Sequence, residues 1–192
     1  SWVSALTVFD DGSGAALYCA GFFRTAGTVD AIGIAKWDGS NWAPVGGTNF
    51  GIGVLGTFDD GGGEALYVGG GFSDAGGVPV NFIAKWDGSS FTPVGGGMDD
   101  AVVALAVFDD GGGEALYAGG AFTTAGGVPA NRIAKWDGMS WTPLGAGTSD
   151  TVLALTVFDN GGGEALYAGG LFMLAGGLQA RGVARWDGSS WT

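Results

Sequence analysis

From Val102 to Phe108 the chain is apolar at every position. After the turn-forming run Asp109-Asp110-Gly111-Gly112-Gly113-Glu114, a second apolar run extends from Ala115 to Phe122. Such short runs bounded by Asp and Gly are strand length, and apolar residues on both alternating faces predict strands covered on both sides. Gly119-Gly120 inside the second strand predicts that another backbone comes close there. Arg132 to Trp136 reads as a third strand and Ser140 to Leu144 as a fourth, joined through Asp137-Gly138, a dipeptide suited to a tight hairpin. Whether that loop has two residues or four, Trp136 and Trp141 fall on one face, where they can pack together.

This pattern occurs four times. Phe-Asp-Asp-Gly starts at Phe9, Phe58 and Phe108 and returns as Phe-Asp-Asn-Gly at Phe158, a period of 49 to 50 residues. The Ala-Leu-Tyr and Lys/Arg-Trp-Asp-Gly segments follow in every copy, at Leu17, Leu66, Leu116 and Leu166 and at Trp37, Trp86, Trp136 and Trp186. The units divide the chain at 1–47, 48–97, 98–147 and 148–192, and their likeness suggests duplication of one unit, by nature or by a designer. Pro44, Pro93 and Pro143 recur in the fourth strand. Proline cannot donate to a ladder, so this strand is expected at a sheet edge, with the apolar first strand innermost. Four-stranded antiparallel sheets of this period, apolar on both faces, predict an all-β fold in which they stack radially as the blades of a β-propeller.

Composition sharpens the reading. Glycine (42) and proline (5) would suit disorder, yet the 192 residues are 46% hydrophobic and include eight Trp, which predicts a buried core. One cysteine, Cys19, and no histidine exclude an intrachain disulfide, the usual zinc sites, and Ser-His-Asp or Cys-His catalysis. A net charge of −12 with seven Lys and Arg argues against nucleic acid and anionic membranes as partners. No run reads as a signal peptide or a membrane span. The acidic, glycine-rich repeats lean toward an extracellular setting.

The segment Asn131-Arg132-Ile133-Ala134-Lys135-Trp136-Asp137-Gly138, followed by Trp141-Thr142-Pro143-Leu144-Gly145, resembles the near-identical blades of highly repetitive bacterial β-propellers, loosely similar to kelch and WD40 blades. The resemblance covers essentially the whole chain and implies a propeller, natural or designed from such a template. The WD40 Gly-His is absent, so histidine-centred networks do not carry over.

Two sets of residues are candidates for binding. Up-and-down connectivity puts the first loop and the last hairpin of each unit on one side, where most of the nineteen carboxylates gather. Asp59, Asp60 and Glu64, with Asp109, Asp110 and Glu114, are the candidates for Ca²⁺, which takes several hard oxygen ligands. The competing reading is turn chemistry and solubility. The second set is the aromatic pair of each unit: Trp37 and Trp42, Trp86 and Phe91, Trp136 and Trp141, Trp186 and Trp191. They could stack on carbohydrate or pack between units. Cys19 stands where the other copies have Val68, Ala118 and Ala168, which reads as a small core residue.

No acid/base constellation stands out from the turn carboxylates, so an enzyme is not expected and no catalytic residue is named. The sequence predicts a structural or interaction scaffold whose apolar end faces drive self-association. Two chains joined head to tail into an eight-bladed ring are expected, with a four-bladed monomer, another ring size or a longer parent propeller as the other closures and a carbohydrate-binding propeller as the other function.

Overall fold

The computed structural model describes residues 1–192, and the chain is all-β, with no helix. The first sheet contains Trp2–Asp10, Ala15–Phe22, Ile34–Trp37 and Trp42–Pro44 in sequential antiparallel order. Ile52–Asp59, Glu64–Gly70, Ile83–Trp86 and Phe91–Pro93 repeat it as the second sheet, and Val102–Asp109, Glu114–Gly120, Ile133–Trp136 and Trp141–Pro143 as the third. The fourth sheet has three strands, Val152–Asp159, Glu164–Gly170 and Val183–Trp186, plus a single bridge from Trp186 to Trp191. Residues Ser1–Gly97, with the first two sheets, form one compact unit, and Met98–Thr192, with the last two, form another.

The proline-bearing strand lies at the edge of each of the first three sheets, as its missing N–H requires. Trp136 pairs directly with Trp141, so the hairpin loop has four residues. Asp137 shapes that loop by accepting the Met139 and Ser140 backbone N–H groups at 2.8 and 2.7 Å. The glycine pair divides into two roles. A side chain at Gly120 would strike the Ala101–Val102 backbone, where the first strand bulges between Val102 and Ala104. One at Gly119 would instead meet the side chain of Val152, 2.6 Å away on the next sheet.

Between the second and third strands each repeat adds a two-residue hairpin that the hydrophobic pattern does not predict, such as Thr124–Ala125 with Val128–Pro129. The next strand is entered through a left-handed residue in every copy: Gly33, Phe82, Arg132 and Gly182, with φ of 78°, 62°, 67° and 89°. Phe82 and Arg132 hold a conformation that costs an L-residue about 1–2 kcal/mol. Hydrogen bonds on both sides keep them there: the Arg132 N–H donates to Phe122 and its carbonyl accepts from Gly120, both at 2.9 Å.

Within each unit the core lies between the two sheets. In the first unit Phe9, Tyr18, Ile34 and Val45 of the first sheet meet Ile52, Leu66, Val68, Phe72 and Phe91 of the second. In the second unit Phe108, Tyr117, Ile133 and Leu144 meet Val152, Leu166, Phe172, Trp186 and Trp191 in the same way. Within each unit, one face of the earlier sheet thus seats the opposite face of the later one.

Candidate functional site

The acidic loops are tied down by a repeated trio. Tyr18 donates its hydroxyl to the Asp11 carboxylate at 2.8 Å, and Lys36 donates its ammonium to the same carboxylate at 2.6 Å. Tyr67 and Lys85 do the same to Asp60 at 2.8 and 2.7 Å, and Tyr117 and Lys135 to Asp110 at 2.9 and 2.6 Å. The strand places Tyr seven residues after the Asp, and the neighbouring third strand brings in Lys after twenty-five. Partial burial alone would raise the Asp110 carboxyl, but the hydrogen bonds from Lys135 and Tyr117 outweigh it, and its pKa lies below the ordinary value. Burial and the adjoining Asp110 carboxylate push the Tyr117 phenol well above its usual range. Asn160 and Arg185 replace Asp and Lys in the fourth copy, and Arg185 reaches only Asp187, at 3.9 Å.

Other aspartates cap turns. Asp59 accepts the Gly61 and Gly63 N–H groups at 2.8 and 2.9 Å, and Asp109 those of Gly111 and Gly113 at the same distances. Backbone N–H groups of Ser90 and Ser89 hold the Asp87 carboxyl down to about 2. Glu64 and Glu114 are exposed at the start of their strands, opposite Asp59 and Asp109. No three His, Cys, Asp or Glu side chains gather where they could hold a metal ion; of the six calcium candidates, Asp59 and Asp109 cap turns and Asp60 and Asp110 belong to trios.

The aromatic pairs form in all four copies, with ring centres 5.3 Å apart for Trp37–Trp42, Trp136–Trp141 and Trp186–Trp191 and 4.8 Å for Trp86–Phe91. Phe91, Trp136, Trp141, Trp186 and Trp191 are buried, and Trp191 donates its indole N–H to the Leu144 carbonyl at 2.9 Å. The indole N–H groups of Trp136 and Trp186 are enclosed without a hydrogen-bond partner. Rings placed this way serve packing, and Trp37, Trp42 and Trp86 stay half-buried.

The chain matches no protein-family model, no curated protein and no solved structure. Function therefore has to be read from the surface, and two surfaces stand out.

The outer face of the first sheet is a groove of 610 Å³ lined by Trp2, Val3, Leu6, Leu17, Cys19 and Trp42, among others. Leu6 is 62% exposed, and Val3 54%, whereas Ile52, the second-sheet copy of Val3, is only 2% exposed. Cys19 lies at the floor of this face as a buried thiol, its pKa raised by desolvation. On the fourth sheet the opposite kind of face is open: Phe158 is 58% exposed, against 3% for its copy Phe108.

The second surface is a cleft of 420 Å³ at the loop end of the first two sheets. Phe22 stacks on Trp2 with ring centres 5.0 Å apart and meets Phe50 edge-on at 5.8 Å, with the exposed Arg24 on the rim. Asp100 and Asp150 occupy the place of Phe50 in later copies, and Gly71 and Ala121 that of Phe22. These aromatics occur once, so the repeat pattern carries no sign of the cluster.

Proposed function

We propose that the chain is a non-enzymatic β-propeller scaffold whose sheets are blades, and that two copies join head to tail into a closed ring of eight. The exposed face of the first sheet carries the reading, because the same residues one repeat later are core. Exposed apolar area of this size drives association, and cyclic closure lets every copy of the face find a partner. The commitment of the carboxylates to turns and to the Asp–Tyr–Lys trios supports a scaffold over catalysis. Light scattering at micromolar concentration should give twice the chain mass, and particle images should show a ring of eight blades. A single-chain mass would refute the dimer.

A second reading, carbohydrate binding, is favoured at one place. The Trp2–Phe22–Phe50 cleft offers ring faces to solvent beside a guanidinium, as sugar stacking requires. Addition of a bound sugar should quench Trp fluorescence, and Trp2→Ala should remove the quenching.

A further inference from the structure

We propose that the free face of the fourth sheet is a fitted seat for the first sheet of a second copy, with Val3 and Leu6 of the incoming chain closing over Gly169. This rests on the head-to-tail reading and specifies its register. Inside the second unit, a Cβ built at Gly119 would lie 2.6 Å from Val152 Cγ1 and 3.4 Å from Leu155 Cδ1, so a side chain of the following sheet fills that spot. Gly169 is the same position one repeat later. A Cβ there would meet only Ala154 Cβ at 3.9 Å and Gly182 O at 4.0 Å, both from its own repeat, and the space outside it is open.

The residues that fill this space recur at the other end of the chain. Val152 and Leu155 correspond by register to Val3 and Leu6, since each pair stands at the same distance before its Phe-Asp loop. Val3 and Leu6 are exposed. Phe158 and Val183 around the seat are also exposed, while their copies Phe108 and Ile133 are buried beneath the following sheet. The two free faces are therefore the two halves of an interface that each unit already contains, and continuity with that interface selects a second copy as the occupant. Complementarity at this level gives a unique docking register.

The test uses the full chain and a filled seat. Gly169 lacks the positive φ that would bar a side chain, so Gly169→Phe should fold, shown by an unchanged circular-dichroism spectrum. It should weaken self-association at least 100-fold in sedimentation measurements. Adding Val3→Ala and Leu6→Ala to the same chain opens room for the new ring and should restore the dimer. Leu6→Asp, on the other half of the contact, should separate the copies without reliance on the seat. If wild type is dimeric and both Gly169→Phe and Leu6→Asp remain so, the register is wrong while association stands. A monomeric wild type overturns both. Should Gly169→Phe fail to fold, Val3→Cys with Gly169→Cys in a Cys19→Ala background decides: an interchain disulfide supports the seat, and its absence in a dimeric sample rejects it.

Discussion

The first and second sheets share strand order and repeat positions, yet the kind of face that the second buries stands open on the first. Phe72 is fully buried while its copy Phe23 is half-exposed, and Ile52 is core while Val3 faces water. The difference is the neighbour: the second sheet rests on the first, and the groove outside Val3 and Leu6 is open. A repeat thus encodes a surface able to become core, and only the adjoining repeat makes it so.

The largest expected effect sets these two positions against each other. In a Leu6→Asp background, which keeps the chains single, Phe72→Ala should cost about 3–5 kcal/mol by leaving a cavity. Phe23→Ala should cost about 1 kcal/mol, in proportion to its smaller burial. Urea unfolding measures both, and equal losses would mean that the neighbour does not matter.

The trios give an intermediate effect. Asp110→Ala strands the Lys135 ammonium and the Tyr117 hydroxyl, both largely out of water, at about 1–3 kcal/mol. Asn160→Asp should do the reverse in the fourth copy, adding up to about 1 kcal/mol by giving Arg185 and Tyr167 an acceptor. The sign with pH follows from the depressed carboxyls of Asp60 and Asp110. Their contribution is fully present above the unfolded value near 3.9 and is lost as pH falls through the lower folded value. The melting temperature should therefore drop below about pH 4, and Asp110→Asn should flatten that drop.

The smallest effect concerns Arg132. Arg132→Gly supplies the residue that two other repeats use at the same left-handed position, Gly33 and Gly182. Relief of strain, less the greater freedom glycine has in the unfolded chain, should leave a gain of about 0.5–1 kcal/mol, visible as a rise in melting temperature.

Much of this was legible in the sequence because strand periodicity and turn chemistry are local. The four strands of the third repeat, the proline edge and the Trp136–Trp141 contact follow from short windows of residues. The Asp–Tyr–Lys trio left a trace in its spacings of seven and twenty-five, but that trace means nothing until the first loop is known to fold over two particular strands. Phe82 and Arg132 gave a fainter sign, glycine at the matching place in the other copies, because a positive φ imposed by surrounding hydrogen bonds contradicts their own preference. The Trp2–Phe22–Phe50 cleft required three distant segments to meet.

By itself the sequence determined the repeat, the strands and which side chains could face inward, since these depend on the backbone period and the solubility of each residue. The tertiary structure alone decided which of four equivalent faces is buried and which is open. Burial belongs to a pair of surfaces, and a residue's own chemistry cannot state whether its partner is there.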